Sequence, residues 1–245
     1  MKLVWTYSDR FKKGRENKIS EASHEYIQFL FRKSIKEAPS VYEKYIYTDE
    51  YNFKIFEDLD VNLIKAREKE FIFLDDLKMD AADAVDGEFI IIDGDLFLKN
   101  ELIIPSNKKI GFEVKVDSLP TLQQKIILQK EGIVNQSKYW DGDNQSINNV
   151  GLIYFNDDKL KADIVGEYRK LQKFFVDKID KKYKINENEI LFSSVACCML
   201  TYQYLEYINE KPFYFLPDND GNFEHLGFAR KFKYLKEFEN KSSLI

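Results

Sequence analysis

Residues 88–100 read EFIIIDGDLFLKN. An apolar run ends in Asp93-Gly94-Asp95 and then turns apolar again. Burying two carboxylates costs several kcal/mol each unless their charge is compensated. A divalent cation compensates both at once. Side chains at i and i+2 of an extended chain project to one side, so Asp93 and Asp95 can share one hard cation if the backbone stays extended. Gly94 then lets the backbone come close to a ligand. Mg²⁺ and Mn²⁺ favour carboxylate and phosphate oxygens and keep open positions for substrate phosphates. The arrangement points to a metal clamped between protein and a polyphosphate. An Asp-x-Asp occurs by chance in any acidic chain; one closing a strongly apolar strand carries more information.

His225 is a candidate third ligand. It is one of only two histidines and stands before Gly227 in a short stretch read as irregular. Imidazole suits Mn²⁺ better than Mg²⁺. The competing reading is a surface histidine near a helix start. His24 lies among charged helix residues and reads as solvated.

Strand and helix signals say what must position these groups. KLVWTYS (2–8) reads as a first strand. SEASHEYIQFLFRKSIKEA follows as a helix, with Ser20 as N-cap, Ala22, Tyr26, Phe29 and Leu30 on one face, and Pro39 as its stop. YEKYIYTD (42–49) and EFIFLDD (70–76) read as the second and third strands. KMDAADAV is a short helix ended by Gly87, and EFIIID the fourth strand. KIGFEVKV (109–116) and NNVGLIYF (148–155) read as later strands. Residues 157–180 and 187–208 read as helices, and 225–240 as a loop and a last helix. The alternation implies an α/β fold: a Rossmann-related, mixed but mostly parallel sheet flanked by helices. Polar residues collect at successive strand ends: Tyr7-Ser8, Thr48-Asp49, Asp75-Asp76 and Asp93-Asp95. Ligands of open parallel sheets bind outside those ends.

Composition bounds the function classes. With 10 Gly and 5 Pro scattered over 245 residues, no linker divides the chain, so 1–245 reads as a single domain. Its two halves are 1–98, which ends just past the Asp-x-Asp, and 99–245, with the later strands and C-terminal helices. A net charge of −5 and a pI near 5.3 argue against a nucleic-acid backbone as main partner. MKLVWTYSDRFKKG lacks a signal-peptide pattern. ILFSSVACCMLTYQYL (190–205) is too short and polar to span a bilayer. Adjacent Cys197 and Cys198 read as reduced core residues, and the expected compartment is cytoplasmic.

FIIIDGDLFL resembles the metal-binding stretch of nucleotide-sugar glycosyltransferases with the GT-A fold, closest to a small bacterial and phage group carrying IDGD. The preceding strand and helix order, NNVGLIYF, and EHLGFARK resemble other parts of that family, which implies that 1–98 is the nucleotide-binding half and 99–245 the acceptor half with the C-terminal helices. The likeness covers most of the chain; only the Asp-x-Asp and the late histidine are specific. It implies Mn²⁺ or Mg²⁺ on Asp93, Asp95 and His225, with Asp95 also catalytic. It implies a nucleotide-sugar donor, foremost a UDP-sugar, with hexosyl or pentosyl transfer to an acceptor hydroxyl on a glycan, a protein or a modified nucleobase. Donor contacts fall on Trp5, Tyr7, Ser8, Thr48, Asp49, Lys78, Asp93, Gly94, Arg230 and Lys231, and Asp80 matches another position near the donor. Asn149 and Asp141 fall on the acceptor side. An inverting transfer needs a carboxylate base; the candidates are Glu187, Glu189, Asp141 and Asp143, with Glu189 preferred. DGDNQS (141–146) lacks the later spacing of a calcium loop and reads as a turn or mobile acceptor loop. Two other functions fit the same motif: a haloacid-dehalogenase-like phosphatase with Asp93 as nucleophile, and a non-catalytic sugar-nucleotide-binding protein.

Overall fold

The computed structural model describes residues 1–8, 21–67, 75–116, 139, 146–179, 197–198, 200–226, 234 and 238. Its chain order is β1 (Lys2–Tyr7), α1 (Glu21–Glu37), β2 (Glu43–Thr48), a short 3₁₀ turn running into α2 (Phe53–Phe56), β3 (Asn62–Lys65), α3 (Asp76–Ala84), β4 (Phe89–Ile92) and β5 (Leu96–Leu98). It continues with β6 (Ile110–Phe112), β7 (Lys115–Val116), β8 (Ile147–Asn148), β9 (Leu152–Phe155), α4 (Asp158–Ile179), β10 (Phe213–Tyr214) and β11 (Phe223–His225). Residues 200–207 are helical.

Seven strands form one sheet in the order β10-β6-β9-β4-β1-β2-β3. Every pairing is parallel except those of β9, which runs antiparallel to both β4 and β6. The expected mixed, mostly parallel sheet flanked by helices is the one observed. Two small antiparallel pairs, β11–β5 and β7–β8, stand beside it.

The central strands bury both faces, which is why their sequences are continuously apolar. Phe89 and Ile91 of β4 face one core with Val4, Ile153 and Phe155, under Leu77, Met79, Ala81 and Ala82 of α3 and Leu160, Ile164 and Tyr168 of α4. Ile90 and Ile92 face the other with Leu3, Trp5, Leu152 and Tyr154, where Ile35 of α1 packs. Each large side chain so buried contributes about 1.5–3 kcal/mol, so the two cores hold the strand ends in register.

Four expectations change. Residues 70–74 of the expected strand 70–76 lie outside the described residues, while Asp75 and Asp76 cap and open α3. The third strand along the chain is Asn62–Lys65, a short edge strand whose half-polar NLIK gives little apolar signal. KIGFEVKV is two strands in two sheets, broken at Glu113 and Val114. NNVGLIYF breaks likewise, with residues 149–151 between β8 and β9. No helix among the described residues is long and apolar enough to cross a membrane.

Candidate metal centre at the sheet rim

Parallel pairing places the C-terminal ends of β1, β2 and β4 side by side, with Tyr7 opposite Thr48 and Trp5 opposite Ile92. β6 runs in the same direction, since it and β4 both pair antiparallel with β9. Ser8, Asp49, Asp93 and Glu113 therefore leave their strands at one rim. The antiparallel β9 enters from that rim, bringing Gly151 beside β4, where its carbonyl accepts from the Asp93 N–H at 3.0 Å.

Asp93 and Asp95 converge by a turn, not along an extended strand. The Leu96 N–H donates to the Asp93 carbonyl at 3.1 Å, closing a tight reversal between β4 and β5. Gly94 is required there by the protein itself. A Cβ on it would lie 2.2 Å from a ring carbon of Phe31 in α1, so helix packing alone already requires a glycine here. Gly94→Ala is expected to destabilise the fold by about 1–3 kcal/mol through overpacking. Phe31→Leu should recover part of that loss, read from urea midpoints of the two single variants and the double variant.

His225 is fixed by β-pairing. It ends β11 opposite Leu96 of β5, and the next residue, Leu226, donates its N–H to the Asp95 carbonyl at 3.0 Å. It is therefore a strand residue, not part of an irregular stretch. Its Nε2 lies 3.4 Å from Asp95 Oδ1 and 4.0 Å from Asp93 Oδ2. One donor atom from each of Asp93, Asp95 and His225 lies within 4.8 Å of the others. Two hard oxygens and one imidazole nitrogen suit Mn²⁺, and three protein ligands leave positions for substrate oxygens. The residues fit the ion the resemblance implies. Burial pulls the His225 pKa down. Hydrogen bonds to Asp95 and Glu113, with the charges of Glu113 and Asp93, outweigh it and raise the ring to about 10. The pocket thus already favours a positive charge beside its carboxylates.

Lys78, expected as a donor contact, stands within the same cluster. Its side chain is buried in α3, with Nζ 2.6 Å from Asp93 Oδ1, 3.5 Å from Asp75 Oδ1, and donating to the Val150 carbonyl at 2.9 Å. Burial disfavours its charge, but Asp93 and Asp75 more than restore it, so its pKa stands above that of a free lysine. Lys78 thereby occupies one oxygen of Asp93, and the other is the one nearer His225. Burial pushes Asp75 up to about 6 against the pull of Lys78. Nearby, the Tyr168 hydroxyl donates to Asp76 Oδ1 at 2.7 Å. Cys197 and Cys198 are buried free thiols, as expected. Burial raises both pKa values, which makes them poor nucleophiles.

On the nucleotide side the Ser8 hydroxyl donates to Asp49 Oδ2 at 2.6 Å, tying the ends of β1 and β2 together. Thr48 is fully buried, and its Oγ1 has no hydrogen-bond partner among the described residues. The Tyr7 ring packs edge-on to Phe31 and Phe56, each 5.1 Å away, and Gln28 donates to its hydroxyl at 3.2 Å. Trp5 does not fit a donor contact: its side chain is wholly buried, and the indole N–H donates to Ser34 Oγ at 2.9 Å. Asn149 turns inward on its own loop, where Oδ1 accepts from the Gly151 N–H at 2.9 Å. Asp80, also buried, lies 4.0 Å from Arg169. Asp141, Asp143, Glu187, Glu189, Arg230 and Lys231 lie outside the described residues.

Sequence reasoning missed Glu113, Gly151 and the pairing role of Asp75. A signal existed for Glu113: it is the one carboxylate inside KIGFEVKV, flanked by Phe112 and Val114. For Gly151 there was none, because its constraint is spatial. A Cβ there would meet Glu113 Oε2 at 2.3 Å and His225 Cε1 at 2.7 Å.

No protein-family model matches the sequence, and no curated protein matches it. Among solved structures, the glycosyltransferase GlyE of Streptococcus pneumoniae TIGR4 is similar at 12% identity and a TM-score of 0.46, covering 98% of this chain and 49% of its own. Mouse xyloside xylosyltransferase 1 is similar at 10% identity and a TM-score of 0.43, covering 87% and 83%. The galactosyltransferase LgtC, as a Q189E variant, is similar at 12% identity and a TM-score of 0.41, covering 80% and 70%. The chain spans about half the length of GlyE.

Proposed function

We propose that this chain is a metal-dependent glycosyltransferase that moves a sugar from a nucleotide-sugar donor, foremost a UDP-sugar, to an acceptor hydroxyl. One observation carries the reading: Asp93, Asp95 and His225, from two separated parts of the chain, bring three metal-ligating atoms within 4.8 Å of one another at the rim of the parallel strands. Such a rim is where open α/β sheets bind nucleotides.

Asp93, Asp95 and His225 are the residues that would hold Mn²⁺ or Mg²⁺. When bound, the ion supplies positive charge to the diphosphate leaving group. The protein's own part is positional. Lys78 and the Gly151 carbonyl fix Asp93, the β4–β5 turn fixes Asp95, and β11 fixes His225. The linked ends of β1 and β2, with Ser8, Thr48 and Asp49, form the nucleoside side. Arg230 and Lys231 are assigned to the departing diphosphate by charge. Glu189 is assigned as the base toward an acceptor hydroxyl in an inverting reaction.

A thermal-shift panel tests the reading against the non-catalytic and phosphatase alternatives. Mn²⁺ and UDP together should raise the melting temperature by roughly 5–10 °C at about a hundredfold excess over Kd. Neither alone should do so, and GDP or CMP with Mn²⁺ should do less. A sugar-nucleotide-binding protein without catalysis shows the same shift but no UDP release from UDP-sugars. A phosphatase gives no nucleotide-dependent shift and instead releases inorganic phosphate from a generic phosphomonoester. Absence of any joint shift across the three nucleotides removes the proposal.

A further inference from the structure

The ring of His225 is held on its far side as closely as on its metal-facing side. Nδ1 lies 3.0 Å from Oε1 and 2.9 Å from Oε2 of Glu113. The Glu113 side chain is 7% exposed. Its backbone is fixed at both groups: its N–H donates to the Leu152 carbonyl at 3.1 Å, and its carbonyl accepts from the Leu216 N–H at 3.1 Å. A carboxylate only accepts, so Nδ1 must carry the proton. Nε2 is then the nitrogen left for Asp95 and Asp93, at 3.4 and 4.0 Å. Gly151 completes the arrangement. Any side chain there would enter the space shared by the Glu113 carboxylate and the imidazole.

We propose that Glu113 is the positioning residue of the metal centre: by holding Nδ1 it fixes the rotation of His225 so that Nε2 faces the ion. This rests on the metal reading above and adds to it a residue that touches neither ion nor substrate. Carboxylates behind metal-bound imidazoles typically change metal affinity 10–100-fold when removed. Glu113 fits that role better than acceptor-side chemistry, because both of its oxygens are turned to the ring.

The experiment uses the full chain, ¹⁵N-labelled at histidine, with Glu113→Gln and Glu113→Leu as variants. Mn²⁺ affinity is measured by electron paramagnetic resonance of the free ion. Nitrogen coordination is read from the ¹⁵N coupling to bound Mn²⁺. Ring protonation is read by ¹H–¹⁵N spectra of the metal-free protein, with His24→Gln as the assignment control. Wild type should show histidine-nitrogen coupling and a protected Nδ1–H. Glu113→Leu should lose the protected proton, and both variants should bind Mn²⁺ about tenfold more weakly or worse, with reduced nitrogen coupling. Wild-type affinity, coupling and ring signals in both variants overturn the proposal. If wild type itself takes up no Mn²⁺, the metal reading fails and the metal-positioning role of Glu113 is overturned with it; if wild type binds Mn²⁺ but a protected Nδ1–H persists in Glu113→Leu, only the role of Glu113 is overturned. Unchanged far-ultraviolet circular dichroism shows that each variant has folded.

Discussion

Asp95→Asn abolishes Mn²⁺-dependent turnover of the nucleotide sugar, by at least about 10³-fold in kcat/KM, while the protein stays folded. The substitution keeps the shape of the side chain and removes its charge. The backbone role of the residue survives, because Leu226 bonds to the carbonyl of residue 95 and not to its side chain. The turn is also kept, since its closing bond joins Leu96 to Asp93. What is lost is one of two carboxylates facing Nε2 of His225, which lies 3.4 Å from Asp95 Oδ1. An amide oxygen is a weaker ligand for a hard cation than a carboxylate. Stabilisation by Mn²⁺ and UDP together should vanish with turnover, and the urea midpoint without metal should move little. Wild-type release of UDP from the variant, at equal Mn²⁺, would remove Asp95 from the chemistry. Loss of turnover with an unchanged Mn²⁺ shift would assign it to catalysis without the metal.

How much of this was legible beforehand depends on the range of each interaction. β1 and β4 were readable because each is a local run of apolar or β-branched residues long enough to be buried on both faces, and β2 because its residues alternate. The Asp93-Gly94-Asp95 motif was readable because carboxylates interrupting such a run need a physical reason. His225 was readable mainly through rarity and the family resemblance; nothing local shows that it pairs across from Leu96. The packing demand on Gly94 was not legible, because the ring that excludes a Cβ belongs to Phe31, more than sixty positions earlier. Trp5 was misread for a similar reason: on an alternating strand its position gave no sign of which face Ser34 would cover. Glu113 and Gly151 meet His225 only after β6 and β9 have paired, a contact whose partners lie more than seventy positions apart along the chain.

Lys78 supplies the largest expected effect on stability. It is a buried cation whose ammonium faces two carboxylates, Asp93 at 2.6 Å and Asp75 at 3.5 Å. Lys78→Met keeps the length and apolar stem but leaves Asp75 buried without its counter-charge. Removing one partner of a buried ion pair costs about 3–5 kcal/mol, a large share of the stability of an ordinary domain. The loss should depend on pH, and its sign follows from Asp75. Its folded pKa of about 6 stands above the ordinary 3.8, so the folded state binds the proton more tightly than the unfolded chain. Any such group favours folding at low pH, and that advantage is lost as pH rises through the folded pKa. Without Lys78 the Asp75 pKa rises further, because the remaining influences, burial and the Asp93 and Asp76 charges, all push it up. The deficit of the variant should therefore be small near pH 5, where Asp75 is protonated and neutral, and grow steadily as pH rises from about 6 to 8. Denaturant unfolding of both proteins across that range gives the difference directly. A deficit independent of pH would show that Lys78 acts through packing alone. A deficit that grows toward acid would mean that Asp75 is ionised and stabilised in the fold, against the burial that defines its site.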